Sequence, residues 1–323
     1  MRDSCGRNID YLRISVTDRC NLHCIYCSTG LAEVFPPGSP ADDPRYLSAA
    51  EIGRITAAMA GLGIRKVRLT GGEPLLRPDL AQIIAAVAQV PGIADIAMTS
   101  NGIGLAERAQ PLKAAGLQRV NISLDSLDNG KFATITGGGK LAPVLKGIKA
   151  AVAAGLEPVK INVVLMKGIN DDEIDQFIEL TRENPVEVRF IELMPIGRFG
   201  GDHPERLLSN TAILDCRPWL KELSGDPNQT ARRYAVPGYR GRIGLISPIS
   251  RQFCTGCNRI RLTCDGKLKP CLGDNAELDI AAALRHESDR LAGLIRKAIL
   301  EKPAGHHFER GFASKRSMVA IGG

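Results

Sequence analysis

The chain has 323 residues, of which 44% are hydrophobic and 24% charged, a composition typical of a globular protein. No apolar run approaches the roughly 20 residues that a transmembrane helix requires, and the N-terminus lacks the apolar stretch of a secretory signal. We therefore expect a cytoplasmic protein without a membrane span. Its formal net charge of +7 favours anionic partners, which include nucleic acids and phosphorylated small molecules.

Strand and helix patterns alternate along the first 195 residues. Strands are expected at 11–17, 66–70, 95–99, 119–124, 158–165 and 186–193. Helices are expected at 48–61, 78–90, 105–115, 142–154 and 171–182. Ser48 and Glu51 form a capping-box pattern, and Gly61, Gly116 and Gly155 stand where helices are expected to end.

This alternation predicts a parallel sheet with helices outside it. About six such units, without a dinucleotide-binding fingerprint after the first strand, favour an incomplete (β/α)6 TIM-like barrel over a doubly wound sheet. We expect this α/β barrel to cover residues 1–195. In such barrels functional residues collect at the carboxyl ends of the strands.

The pattern changes after residue 195, and residues 196–323 are expected to form a C-terminal α+β extension that packs on the barrel. The extension is predicted to contain a loop at 197–204, helices at 207–223 and 277–300, and strands at 232–236 and 242–246. Earlier in the chain, the proline-rich segment 28–46 is expected to be a mobile loop.

Three of the nine cysteines lie within residues 20–27 and four within residues 254–271. Cytosolic thiols stay reduced, so such groups indicate metal binding or catalysis rather than disulfides. Cys5 and Cys216 stand alone and are expected to be incidental.

The first group consists of Cys20, Cys24 and Cys27, with the spacing C-x3-C-x2-C directly after a predicted strand. An all-cysteine [4Fe–4S] cluster has four thiolate ligands, so three cysteines leave one iron open. An open iron can chelate the amino and carboxylate groups of S-adenosylmethionine (SAM). A zinc site completed by His23 or His203, or a redox C-x2-C pair, is the alternative at this point.

Two further features accompany this group. Tyr26 precedes the last cysteine, and Gly71-Gly72-Glu73 follows the next predicted strand. At both places the sequence resembles the radical SAM enzymes, in which a reduced cluster cleaves SAM to start radical chemistry. The resemblance implies that the Gly-Gly-Glu segment binds the methionine amino group of SAM and that the backbone at Tyr26 touches the adenine.

The second group is Cys254-Thr255-Gly256-Cys257, followed by Cys271. Together with the first motif it resembles the GTP 3′,8-cyclase family of molybdenum cofactor biosynthesis, and the similarity extends over nearly the whole chain. The other similar stretches are residues 12–18, 67–74, 121–126, 189–194 and 321–323.

This resemblance implies a second [4Fe–4S] cluster on Cys254, Cys257 and Cys271, with an open iron that binds the guanine of GTP. It implies SAM contacts at Ser123 and Met194. The last two glycines are implied to reach the active site and to be needed for turnover. The two tail glycines are Gly322 and Gly323. The implied GTP contacts are Arg13, Arg68, Thr99, Lys160, Arg259 and Arg261.

The reaction expected from the resemblance removes the ribose 3′ hydrogen of GTP, and the C3′ radical then attacks C8 of guanine. Such chemistry depends on orientation more than on acid–base groups, and Asp125 and Glu192 are candidate orienting residues. GTP is expected between the two clusters at the mouth of the barrel, in a deep basic cavity that explains the positive charge better than nucleic acid does. The resemblance also implies a homodimer, an electron donor of the flavodoxin or ferredoxin type, and cyclic pyranopterin monophosphate synthase as the next enzyme.

Other interpretations stay open in the sequence. Cys264 lies between Cys257 and Cys271, so four thiolates with Cys254 are a possible closed zinc site, although strand alternation favours Cys264 as a bystander. Another radical SAM enzyme with an auxiliary cluster, for example a peptide-modifying one, is a second alternative. A non-catalytic zinc-binding or nucleic-acid-binding protein is a third.

Overall fold

The structure is a computed structural model, and it describes residues 1–27, 43–225, 229–308, 312 and 314–322. The strands are β1 (Tyr11–Ser15), β2 (Lys66–Thr70), β3 (Asp95–Ser100), β4 (Arg119–Ser123), β5 (Lys160–Leu165), β6 (Glu187–Glu192), β7 (Lys221–Leu223), β8 (Arg232–Ala235), β9 (Arg242–Ile246), β10 (Arg259–Leu262), β11 (Lys267–Lys269) and β12 (Leu278–Asp279). The helices are α1 (Ala49–Gly61), α2 (Leu80–Ala88), α3 (Leu105–Ala114), α4 (Asn129–Thr136), α5 (Leu141–Ala153), α6 (Ile174–Glu179), α7 (Gly197–Asp202), α8 (Asn210–Asp215), α9 (Ile280–His286), α10 (Leu291–Leu300) and α11 (Met318–Ile321).

All the described strands join one sheet in the order β12-β11-β10-β1-β2-β3-β4-β5-β6-β9-β8-β7. The strands β1 to β6 are parallel neighbours in chain order, as the prediction of an incomplete (β/α)6 barrel requires. The C-terminal part extends this sheet at both ends, because β10 pairs in parallel with β1 and β9 pairs in parallel with β6. The predicted fold class is therefore confirmed, and the extension continues the barrel sheet.

The side chains of each strand alternate between a helix-facing core and the barrel interior. On β1, Leu12 and Ile14 are fully buried in the hydrophobic core, together with Ile52 and Ile55 of α1. The intervening residues, Tyr11 and Arg13, line a cavity inside the barrel. Residues from all eight parallel strands line this cavity, so the sheet curls around it.

The local signals at the helix ends are mostly confirmed. The Ser48 hydroxyl accepts a hydrogen bond from the Glu51 amide, and the Glu51 carboxylate accepts one from the Ser48 amide at 2.9 Å, which completes the predicted capping box. Gly116 and Gly155 end their helices with φ of +115° and +67°. The helix α1 also ends at Gly61, but Gly63 and not Gly61 supplies the positive φ after it.

Three predictions in the C-terminal part are wrong. Residues 197–204 contain the helix α7 rather than a loop, and Gly200 packs there so tightly that a Cβ would lie 2.1 Å from the Met194 carbonyl oxygen. The predicted helix 207–223 ends at Asp215, and Lys221–Leu223 instead forms a strand that pairs with β8. The predicted helix 277–300 begins as β12 and is then split into α9 and α10.

Two helices, α4 and the short α11 in the C-terminal tail, lie where no element was predicted. The helix α4 begins after Asp128, whose carboxylate accepts a hydrogen bond from the Lys131 amide at 2.8 Å. The segment predicted as a mobile loop, 28–46, lies mostly outside the described residues. At its end Tyr46 is buried, and its hydroxyl group donates a hydrogen bond to Asp18. Within the described ranges, no helix is both long and apolar enough to cross a lipid bilayer.

Candidate functional site

The first cysteine group follows the carboxyl end of β1 and rests on α4. The amides of His23 and Ile25 donate to the carbonyls of Thr136 and Ile135, both at 2.9 Å. The Cys27 amide donates to the Cys24 carbonyl at 2.9 Å, which closes a tight turn between two of the thiols. The unpredicted helix therefore holds the cysteine loop in place.

The three thiols of this group lie close together in a poorly solvated environment. Burial raises the pKa of Cys20 to about 11. Burial also raises the pKa of Cys24 well above its ordinary value, and the negative charges of Asp125, Cys27 and Cys20 add to this effect. Three thiolates in such a place require a strongly positive partner, which an iron–sulfur cluster supplies.

The Gly-Gly-Glu segment lies directly against the chain that leads to Cys20. A Cβ on Gly71 or Gly72 would lie 2.4 Å from the Thr17 carbonyl oxygen or 2.1 Å from the Arg19 carbonyl oxygen, so only glycine fits at either position. The amide of Gly72 donates to Thr17 at 2.7 Å. The segment predicted to bind SAM is thereby fixed beside the first cysteine group.

The Glu73 carboxylate is buried and already bonded to protein groups. It accepts hydrogen bonds from the amides of Leu75 at 2.9 Å and Asn101 at 2.6 Å, and from the Ser100 hydroxyl at 2.8 Å. Burial raises the pKa of Glu73 to about 7, although these donors lower it. Glu73 thus fastens the loop after β2 to the end of β3.

The two candidate orienting carboxylates have different surroundings. Asp125 accepts a hydrogen bond from the Tyr26 hydroxyl at 2.7 Å and from the Val164 amide at 2.8 Å, and burial raises the pKa of Asp125 to about 6. Asp125 therefore positions Tyr26 beside the cysteines. Glu192 does not line the cavity, and its oxygens accept hydrogen bonds from the amides of Asn210 and Ser250, both at 3.0 Å. The candidate orienting role of Glu192 stays a prediction, and in the structure its carboxylate fastens the chain at Asn210 and Ser250.

The barrel interior holds a cavity of about 430 Å³. Its lining includes all six predicted GTP contacts, the predicted SAM contact Met194 and the three cysteines of the second group. Among the lining residues, Asp95 and Glu187 are the carboxylates. The cationic lining residues are Arg13, Lys66, Arg68, Arg119, Lys160, Arg189, Arg233, Arg259, Arg261 and Lys302.

The cations lie on neighbouring strands and oppose one another's charge. Arg13 is paired in register with Arg68 on β2 and with Arg261 on β10. Burial lowers the pKa of Arg13 well below its ordinary value, and the nearby Arg261 and Arg68 lower it further. Burial, followed by the charge of Arg189, lowers the pKa of Lys160 to about 7. A bound anionic ligand would offset the unfavourable free energy of burying these positive charges next to one another.

Two buried amides point to a polar ligand in the same cavity. The side-chain oxygens of Asn121 and Asn162 are buried and have no hydrogen-bond partner among the residues that the structure describes. Both residues line the cavity. Since buried acceptors normally have a donor, these oxygens fit a hydroxyl or amino group of a bound molecule.

The second cysteine group lies at the amino end of β10, on the cavity wall. The Cys257 amide donates to the Cys254 carbonyl at 3.1 Å. Burial alone would raise the pKa of Cys257, but Arg259 and Lys302 bring it down to about 6. A thiolate stabilised in this way is suited to metal binding.

A buried arginine from the N-terminal segment supports the second group. The Arg7 guanidinium donates to the carbonyl of Cys254 at 3.0 Å and to the carbonyl of Pro303 at 2.7 Å, and it pairs with Asp3 at 2.6 Å. Arg7 therefore ties the Cys254 loop to residues 302–304. The sequence analysis did not identify this residue.

The position of Cys264 does not favour a closed zinc site. Cys264 is buried but does not line the cavity, and the charges that act on its ionisation are those of Asp18, Asp265 and Arg316 rather than those of another cysteine. Across the described ranges, no three His, Cys, Asp or Glu side chains converge closely enough to hold one metal ion. A [4Fe–4S] cluster has a different requirement, because each thiolate binds a separate iron.

The C-terminal tail lies against Arg261 and the carboxyl end of β2. Arg261 donates to the carbonyl oxygens of Gly322 and Ile321, the latter at 3.3 Å. Gly322 has a φ of +69°, and a Cβ there would lie 2.5 Å from the Thr70 methyl group at the end of β2. Gly323 lies outside the described residues.

The two cysteine groups lie at opposite ends of the barrel. The first follows the carboxyl end of β1, whereas Cys257 precedes the amino end of β10, which runs parallel to β1. The cavity accordingly runs through the barrel interior and does not lie only at its mouth, where GTP was expected. Ser123 is half-buried at the carboxyl end of β4, on the side of the first group.

The sequence analysis missed several cavity residues, although strand alternation could have found them. Lining residues recur at every second position, as in Arg119 and Asn121 on β4, Lys160 and Asn162 on β5, and Arg189 on β6. The same period places Arg13 two residues after Tyr11 on β1, and Arg68 and Arg261 follow Lys66 and Arg259 in the same way on β2 and β10. Lys302 and His306 follow no such pattern, since they lie in irregular chain near the second group.

Comparisons with known proteins agree with this geometry. The sequence profile of the radical SAM superfamily matches residues 14–181, and the profile Molybdenum Cofactor Synthesis C matches residues 186–308. The chain is 46% identical over 327 residues to a GTP 3′,8-cyclase of Alkaliphilus oremlandii (strain OhILAs), and 100% of each chain is covered. It is 46% identical over 324 residues to a GTP 3′,8-cyclase of Peptoclostridium acidaminophilum, which covers 99% of this chain and 98% of that one.

Among solved structures, Streptococcus suis SuiB bound to S-adenosylmethionine is similar in fold, with a TM-score of 0.56 at 16% identity. The match covers 90% of this chain and 68% of that chain. The profiles, the full-length relatives and the placement of the two cysteine groups lead to one conclusion. The chain belongs to the radical SAM superfamily and, within it, to the GTP 3′,8-cyclase family.

Proposed function

We propose that this protein converts GTP to (8S)-3′,8-cyclo-7,8-dihydroguanosine 5′-triphosphate, the first step of molybdenum cofactor biosynthesis. The observation that carries the proposal is the barrel cavity, where cationic side chains and the second cysteine group face one another. A cavity with so many cations is suited to a triphosphate, because arginine and lysine pair with phosphate oxygens.

The clusters and SAM, when bound, supply the radical chemistry that breaks the ribose C3′–H bond. The protein's own residues hold the reactants. Cys20, Cys24 and Cys27 are the proposed ligands of the SAM-cleaving cluster, and Cys254, Cys257 and Cys271 are those of the second. The proposed SAM contacts are Tyr26, Gly71, Gly72, Glu73, Ser123 and Met194.

The remaining residues orient GTP inside the barrel. Arg13, Arg68 and Lys160 lie on three of the strands between the two cysteine groups, where they can pair with phosphates. Thr99 accepts a hydrogen bond from the Arg68 guanidinium at 3.1 Å, so it also fixes that arginine. Arg259, which donates toward the Cys257 sulfur at 3.5 Å, is suited to hold the nucleotide beside the second group. Orientation of this kind accelerates a reaction that depends on geometry more than on acid–base chemistry.

The decisive experiment incubates anaerobically purified, iron-loaded protein with GTP, SAM and a reductant. We expect cyclised GTP and 5′-deoxyadenosine in the wild type, with about eight iron atoms per chain. Cys254→Ser is expected to retain about four iron atoms and to lose cyclised GTP. Cys216→Ser, which changes an exposed lone cysteine, serves as the matched control and is expected to behave as the wild type. Absence of both products in the wild type would refute the proposal.

The partners are part of the same proposal. We propose a homodimer, reduction by a flavodoxin or ferredoxin, and transfer of the product to cyclic pyranopterin monophosphate synthase. A cytoplasmic location suits the nine free cysteines, because thiols stay reduced there. We also propose that residues 1–195 act as the SAM-cleaving unit and residues 196–323 as the unit that supplies the second cluster and part of the GTP site.

A further inference from the structure

Arg316 lies just before the tail helix α11 and forms an ion pair with two carboxylates. Its guanidinium donates to Glu277 at 2.7 Å through Nε and to Asp265 at 2.9 Å through Nη2. A further hydrogen bond of 3.3 Å from Nη1 makes the Asp265 contact bidentate, whereas Nε shares its hydrogen with the second oxygen of Glu277 at 3.0 Å. The three side chains are 21–33% exposed, so solvent screens these pairs only in part.

Both carboxylates belong to the chain that carries Cys271. Asp265 lies in the turn between β10 and β11, and Glu277 lies just before β12. Glu277 also accepts a hydrogen bond from the buried Lys269 at 3.1 Å, which fixes its position. Arg316 thus joins the tail to the edge of the sheet that β10, β11 and β12 form, with Asp265 at the carboxyl end of β10, opposite the second cysteine group.

The tail beyond Arg316 has little internal stability. The helix α11 has four residues, and a helix of this length does not persist without tertiary contacts. The tail is placed by Arg316 at one end and by the contacts of Ile321 and Gly322 with Arg261 at the other. Gly322 then packs against Thr70, directly before the Gly-Gly-Glu segment.

We propose that Arg316 is a positioning residue for turnover, because its double ion pair anchors the tail whose Gly322 lies between Arg261 and the SAM-binding segment. The inference rests on the proposed function. Arg316 does not line the cavity, so it acts through the tail and not through contact with GTP or SAM.

Hydrogen exchange of the tail and product formation test this role together. In cluster-loaded protein without GTP, Arg316→Gln is expected to exchange the amides of Ala320 and Gly322 at least about tenfold faster than the wild type. With GTP, SAM and reductant, we expect at least about tenfold less cyclised GTP per 5′-deoxyadenosine, at unchanged iron content. Arg316→Lys is expected to give values between those of the wild type and Arg316→Gln for both the exchange rate and the yield of cyclised GTP. Lysine keeps the positive charge but lacks the bidentate fork.

The controls separate positioning from folding. Arg290→Gln removes an exposed arginine that pairs with Glu287, and it is expected to change neither measurement. Asp265→Asn removes one of the two carboxylates and is expected to give a smaller change in the same direction. Unchanged tail exchange in Arg316→Gln, or lost iron in that variant, would overturn the inference. A wild type that cyclises no GTP would refute the proposed function, and tail exchange alone would then decide whether Arg316 holds the tail.

Discussion

The pKa of Lys160 predicts that GTP binding takes up a proton. Burial and the charge of Arg189 lower this pKa to about 7 in the free protein. A triphosphate beside the amine favours the ammonium form and returns the pKa toward its ordinary value. At pH 8 a lysine with a pKa near 7 is about 90% neutral, so binding is expected to take up about 0.9 proton.

The sign of the pH dependence follows from the same values. Below pH 7 the amine is charged in both states, and protonation costs no affinity. Above pH 7 the free protein must first bind a proton, so the contribution of Lys160 to affinity falls by up to tenfold per pH unit, about 1.4 kcal/mol. The loss continues until the pH approaches the pKa of the bound state.

Calorimetric titration of GTP into cluster-loaded enzyme without reductant measures this uptake, when it is done at pH 8 in two buffers of different ionisation enthalpy. The terminal phosphate has a pKa of about 6 and contributes little at that pH. Tyr11 also lines the cavity and could take up a proton. Burial raises the pKa of Tyr11, but Arg68 and other cations lower it to about 8. The titration is therefore repeated with Tyr11→Phe. Lys160→Met is expected to remove about 0.9 proton from the uptake, whereas Lys146→Met, on the exposed face of α5, is expected to change nothing. Equal uptake in the wild type and Lys160→Met would refute the reasoning.

Three further variants test separate parts of the site. Arg7→Met removes the support of the Cys254 loop and is expected to lower the iron count from about eight to about four per chain, and an unchanged count would contradict this support role. Cys264→Ala is expected to leave the iron count unchanged and to cost about 1–2 kcal/mol of unfolding free energy for the small cavity, whereas loss of iron would identify Cys264 as a ligand. Gly322→Ala is expected to reduce cyclised GTP at least about tenfold, because φ of +69° and the contact with Thr70 both oppose a Cβ; wild-type turnover would show that the tail geometry is not required.

Strand alternation made much of the barrel predictable from sequence. Arg13 and Arg68 stand between apolar residues on short strands, and this pattern places their charges on the inner face. Secondary structure was predicted wrongly where a segment becomes a strand only by pairing with another strand that its own sequence does not reveal. Lys221–Leu223 has a helical neighbourhood in sequence, yet its pairing with β8 makes it a strand. Leu278–Asp279 likewise belongs to the sheet through β11, and no local signal reveals that pairing.

The helix α4 and the residue Arg7 illustrate a second limit. Asp128 is a typical N-cap residue, but the apolar pattern around Phe132 is too short to predict a helix. The helix that supports the first cysteine loop was therefore missed. Arg7 stabilises Cys254 from 247 positions away in the chain. Such long-range hydrogen bonds depend on the folded path of the backbone, which motif spacing does not contain.

The placement of the two cysteine groups explains why the barrel interior is so strongly cationic. The first group follows the carboxyl end of β1 and the second precedes the amino end of the parallel strand β10, so a strand of five residues, roughly 16 Å, separates the two ends. In the proposed reaction, a nucleotide bound at the second cluster has to extend along this interior to bring its ribose near SAM. Its phosphates then lie beside strand residues and away from bulk water, where only paired charges are tolerated. Arg13, Arg68 and Lys160 are the cations proposed to pair with those phosphates, and without an anion they oppose one another's charge.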